Sequence, residues 1–126
     1  MMKIGPIFEA EDNLRLQIIT QLDSIIQKYE SMGMACWIYL KGNEAIEVAS
    51  IKVKDKTKRK QGLGTGLMQE ITGLCDKYNL LCVLTPEATE TPMSVLLRFY
   101  KGFGFVPNKG RNKDFRYRAG MIRYPK

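Results

Sequence analysis

The sequence has 126 residues, of which 44% are apolar and 26% charged, with a net charge of +7. That length and balance exclude disorder and suffice for one core, so a single domain over residues 1–126 is expected. There is no histidine, which removes serine–histidine and cysteine–histidine catalysis and leaves zinc with only an unusual, carboxylate-heavy ligand set.

The three cysteines, Cys36, Cys75 and Cys82, are odd in number and follow no ligand spacing. No metal is expected, and a reducing, cytoplasmic setting is. No apolar run approaches the ~20 residues of a membrane span, and the polar start has no signal-peptide core, so no membrane association is expected.

Taken in chain order, residues 9–29 carry Leu14, Leu16, Ile18, Ile19, Leu22, Ile25 and Ile26 at helical spacing, and Gly33 is the expected stop. Residues 34–40 and 45–53 read as strands around Lys41-Gly42-Asn43, a turn suited to a hairpin. After a lysine-rich loop and a glycine run, residues 64–78 form a second helix with Leu67, Met68, Ile71, Leu74, Cys75 and Tyr78 on its apolar face. Residues 80–84 are continuously apolar, as in a strand buried on both faces. Thr91 and Pro92 supply an N-cap and a first-turn proline for a third helix reaching Lys101. Residues 103–106 and 119–124 are the closing strands, joined by a basic loop. The expected fold class is α/β of the mixed kind: a mostly antiparallel central sheet flanked by about three helices.

The positive charge gathers in residues 52–60 and 109–123 and suits polyanions, whether nucleic acid or a phosphate-rich cofactor. In the first cluster a strand runs into a loop whose glycines open a helix. Glycine lets backbone approach a ligand, and the first amides of the helix point at it beside the positive dipole end. Arg59 and Lys60 are placed to add charge-assisted hydrogen bonds to a pyrophosphate. A P-loop needs lysine and serine or threonine after its second glycine, which Gly66-Leu67-Met68 lacks. A dinucleotide fingerprint fails too, because Gly66 falls one residue short of the third glycine.

Arg59-Lys60-Gln61-Gly62-Leu63-Gly64 resembles the Arg/Gln-x-x-Gly-x-Gly/Ala signature of GNAT acyltransferases. Tyr100-Lys-Gly-Phe-Gly104-Phe105 resembles the end of that family's late helix, and Glu47-Val-Ala-Ser-Ile-Lys-Val53 is similar to a strand of its histone-type members. The likeness covers residues 45–105 and fits small stand-alone bacterial or phage proteins of the family. It implies an N-acetyltransferase with acetyl-coenzyme A as co-substrate. The pyrophosphate would lie on Arg59, Lys60, Gln61, Gly62, Leu63, Gly64, Thr65 and Gly66. The backbone of Ile51 and Val53 would pair with the pantetheine arm and offer an amide to the oxyanion. Tyr100 would protonate the departing thiolate, and Glu47, six residues before Val53, would take the proton of the amine, with Glu44 and Glu87 as fallbacks. The acceptor could be a protein lysine or a small amine.

The chain departs from the family in three places. The loop before Gly62 is about one residue longer than in histone-type enzymes. Met93 stands where an asparagine is common. One long helix precedes the hairpin where many relatives have two, so part of the acceptor pocket is either absent or supplied by a second subunit. Monomer and homodimer both stay open. So do two other readings, a GNAT fold that binds coenzyme A without turnover and a nucleic-acid-binding module. In the latter, Lys109, Arg111, Lys113, Arg116, Arg118 and Arg123 interleave with Phe115, Tyr117 and Tyr124.

Overall fold

The computed structural model describes residues 6–54, 62–88 and 91–126. Helix α1 (Pro6–Ser31) leads into the hairpin of β1 (Met34–Lys41) and β2 (Ala45–Val53). Helix α2 (Leu63–Tyr78), strand β3 (Leu81–Leu84), helix α3 (Met93–Lys101) and the short pair β4 (Val106–Pro107) and β5 (Met121–Arg123) complete the chain. The sheet order is β1-β2-β3-β5-β4. Only β2 and β3 run parallel; the other neighbours are antiparallel. Three helices and a mixed, mostly antiparallel sheet are the expected fold class.

Helix α2 shows how the pattern makes the core. Leu67, Met68, Ile71, Leu74 and Cys75 recur at three- and four-residue spacing and are all buried against the sheet. Fully burying a leucine, isoleucine or methionine is worth roughly 1.5–3 kcal/mol, so this one face commits the helix to its place. Ile18 and Leu22 of α1, Ile46 and Val48 of β2 and Tyr100 of α3 join the same cluster. A smaller cluster of Ala45, Leu81, Val83, Tyr117 and Ile122 covers the opposite face of the sheet.

Three local expectations are corrected. Leu14 and Leu16 are exposed; Leu16, two residues before the buried Ile18, lies on the opposite side of the helix from the core. Pro92, not Thr91, is the N-cap of α3, with no side-chain cap; its carbonyl accepts the amides of Val95 and Leu96. The strand expected over 103–106 shrinks to two residues, because the amides of Phe103 and Phe105 turn back to the carbonyl of Tyr100.

Candidate active site

The sheet opens between β2 and β3. Strands β2 and β3 pair only from Ala45–Leu81 to Val48–Leu84. Strand β3 then ends, while β2 runs on to Val53 without a strand partner on that side among the described residues. A free strand edge presents a row of amides and carbonyls that an extended ligand can pair with. The opening is a cleft of about 330 Å³ walled by residues 48–53 of β2, by Leu84 at the end of β3 and Thr85 to Glu87 after it, and by Leu96 and Tyr100 of α3.

A one-residue shift in the β1–β2 register sharpens the geometry. Trp37 faces Ser50 but Ile38 faces Val48, so Ala49 is an extra residue on β2. Such a bulge reverses which face each later side chain takes. Before it, Ile46 and Val48 point to the main core; after it, Ile51 and Val53 do. Glu47 and Val53 are an even number of residues apart and would share a face on a regular strand. The bulge separates them.

Glu47 accordingly stands on the other face, where the Tyr39 hydroxyl donates to it at 2.7 Å and the Lys41 ammonium at 3.0 Å. Partial burial pushes its carboxyl up, but the bonds from Tyr39 and Lys41 and the lysine charge more than offset this and hold it below the ordinary value. It is not among the residues walling the cleft, whereas Glu87 is. Glu44 accepts from the Tyr117 hydroxyl at 2.8 Å and lies 3.5 Å from Arg116.

Tyr100 lies at the inner wall, only 7% exposed, its ring set edge-on to Phe99 and Phe105. Burial raises its phenol above the ordinary value, and neighbouring Cys82 adds to the rise. The group therefore stays protonated through the neutral range, able to give a proton. Its hydroxyl has no hydrogen-bond partner among the described residues.

Helix α2 opens at Gly62, whose φ of 74° is left-handed and favours glycine. The first intrahelical bond is from the Gly66 amide to the Gly62 carbonyl, so the amides of Leu63, Gly64 and Thr65 have no acceptor within the helix. Gly66 plays a different part: a Cβ there would stand 2.7 Å from the Tyr29 hydroxyl, so the glycine lets α1 and α2 close on each other. Arg59, Lys60 and Gln61 lie outside the described residues. The structure thus brings Ile51, Val53 and Tyr100 to one cleft, and leaves Glu47 across the sheet. The walls formed by Ser50, Thr85 and Leu96 were not anticipated; the parallel β2–β3 pairing that creates them has no local sequence signal.

No family model and no curated protein matches this sequence. Among solved structures the chain is similar to Ard1 from Thermoplasma volcanium, at 22% identity over 72% of this chain and 62% of that one, with a TM-score of 0.47. It is also similar to Arabidopsis thaliana Naa50 in complex with the bisubstrate analogue CoA-Ac-MVNAL, at 21% identity over 71% and 62%, TM-score 0.43. A third similar structure is GCN5 from Tetrahymena, at 16% identity over 88% of each chain, TM-score 0.43. The match spans just over three fifths of the length of the first two.

Proposed function

We propose that this chain is a GNAT-type N-acetyltransferase that binds acetyl-coenzyme A in the β2–β3 cleft and moves the acetyl group to an amine, such as a protein lysine or a small amine. The observation that carries the reading is the parting of β2 from β3 beside Tyr100. It leaves a free strand edge, a buried phenol and a helix opening within one fold.

The residues fit the co-substrate by their chemistry. The edge of β2 at Ile51 and Val53 suits the two amides of a pantetheine arm. The α2 amides of Leu63, Gly64 and Thr65, with Arg59, Lys60 and Gln61 ahead of Gly62, suit a pyrophosphate. When bound, the co-substrate supplies the activated acyl group. Tyr100 then holds the proton that the departing sulfur requires, and burial keeps the phenol neutral until that moment. Two carboxylates compete for the proton that the amine must lose. Glu47 is favoured by the strand likeness and Glu87 by its place on the cleft wall.

Calorimetric titration with acetyl-coenzyme A tests the reading. Affinity in the micromolar range or tighter is expected. Gly64→Glu should abolish it by adding bulk and negative charge at the helix opening. Gly64→Ala is the control, since among the described residues its Cβ meets the Phe99 ring at an ordinary 3.7 Å. Equal affinity in wild type and Gly64→Glu would remove the assignment.

A further inference from the structure

The acetyl-transfer reading makes no use of the basic segment between β4 and β5. Residues 108–119 carry five cationic side chains against a single carboxylate, Asp114. The segment has a built scaffold. Asn108 is 8% exposed, and its Nδ2 donates to the carbonyls of Asp114, Tyr117 and Ala119 at 3.3, 3.1 and 3.0 Å. Its Oδ1 accepts the Asp114 amide at 2.7 Å. Tyr117 is buried and ties the loop to Glu44 at the start of β2.

That scaffold divides the charges. Arg116 is committed to Asp114 and Glu44, so the loop's only carboxylate is already neutralised. Arg123 is buried on Asp76 and does not belong to the surface. Lys109, Arg111, Lys113 and Arg118 are exposed on the same loop as Phe115, which at 85% is the most exposed large apolar side chain described. The Lys113 ammonium lies 5.4 Å from the Phe115 ring centroid, so charge and aromatic face are presented together. Tyr124, also half out in solvent, approaches Asp114 at 3.5 Å and flanks the patch.

We infer that this Asn108-braced loop is a docking surface for single-stranded nucleic acid, with phosphates on Lys109, Arg111, Lys113 and Arg118 and a base stacked on Phe115. A flexible polyanion with flat π faces answers both halves of the patch, because cations track its backbone and an aromatic ring takes its bases. A lipid surface answers it less well, since one apolar side chain among four cations gives little to insert. The return of the loop at Gly120 bonds Thr85, which walls the cleft, and so ties the loop's end to that wall.

Fluorescence anisotropy with a labelled 20-nucleotide uridine oligomer tests this on the full chain, independently of acetyl-coenzyme A. Four phosphate contacts to a single strand predict that affinity falls about 50-fold between 50 and 200 mM salt. Phe115→Ala should weaken binding by about five- to 150-fold, and Phe115→Trp should restore it. The triple variant Arg111→Ala, Lys113→Ala, Arg118→Ala should flatten the salt dependence to about a quarter of its slope. All of these positions are exposed, and circular dichroism checks that the variants keep the fold. Binding that Phe115→Ala leaves unchanged, or that Lys77→Ala on the remote α2 face weakens as much as the triple variant does, would overturn the assignment. So would tighter binding to phosphatidylserine vesicles than to the oligomer.

Discussion

At the C-terminal end of the sheet, polar side chains are consumed in closing the structure. At the β2–β3 opening, the edge of β2 beyond Val48 is left without a strand partner among the described residues. The Arg123 guanidinium bonds both Asp76 oxygens at 2.8 and 2.9 Å and the Phe103 carbonyl at 2.6 Å, and the Lys126 amide joins Asp76 at 2.9 Å. Asn108 reaches four backbone groups of its loop, its two N–H donors shared among three carbonyls and its oxygen accepting the Asp114 amide. The β4 and β5 strands are only two and three residues long, too short to hold by ladder bonds alone, and the side-chain network does what the ladder cannot. The cleft end has the reverse economy. Its walls come from a long strand and a packed helix, so its edge can be spared for a ligand. Side chains at one end should therefore carry stability, and those at the other should carry binding and turnover.

The largest effect should come from Arg123→Ala. It strands Asp76 and removes the donor to Phe103, and breaking a buried pair typically costs 3–5 kcal/mol. Because 32% of the Asp76 side chain still faces water, a loss of about 3 kcal/mol in urea denaturation is expected. Asn108→Ala follows, at about 2 kcal/mol, by leaving the Asp114 amide and three carbonyls to find water. A loss below about 0.5 kcal/mol in both variants would mean that the pinned end is no more polar-dependent than any surface.

Acid gives a third, smaller test of the same end. The hydrogen bonds from Arg123 hold the Asp76 carboxyl down at about 2 from 3.8, with burial working against them and the Lys126 amide with them. A depressed carboxyl stabilises the fold above its unfolded value and loses that contribution as pH falls from about 4 towards 2. With allowance for its exposure, on the order of 1–2 kcal/mol should disappear over that window. In the Arg123→Ala background the loss should shrink to the part the Lys126 amide sustains, and its persistence at full size there would assign it to another carboxylate.

The contrast between the two ends also marks what sequence could convey. Helix α2, the hairpin and the glycine opening were legible, because apolar spacing and turn residues are local and the core rewards them directly. The chemistry around Glu47 was not. The bulge at Ala49 decides which face follows it, and Ala49 and Ser50 carry no glycine or proline to announce it. Arg123 was counted among the surface cations because its partner, Asp76, lies 47 residues away and only the fold brings them together. Leu14 fits the helical period of Ile18 and Leu22 and is nevertheless exposed. In each case the missing information was a long-range register, which no window of sequence contains.

The smallest expected change in stability lies in the cleft, and it separates the two ends most cleanly. Tyr100→Phe removes one oxygen while keeping the ring between Phe99 and Phe105. The hydroxyl has no hydrogen-bond partner among the described residues, so its loss costs the fold little, within about 0.5 kcal/mol by urea denaturation. Turnover, followed by thiol release from acetyl-coenzyme A, should nevertheless fall about 100-fold with cofactor affinity unchanged, because a positioned general acid contributes on that scale. Arg123→Ala should show the opposite signature, with large destabilisation and near-normal turnover of the folded fraction. If Tyr100→Phe instead destabilised the protein by more than about 1 kcal/mol and left turnover intact, the phenol would be a core group like its neighbours, and the proposed chemistry would lose its proton donor.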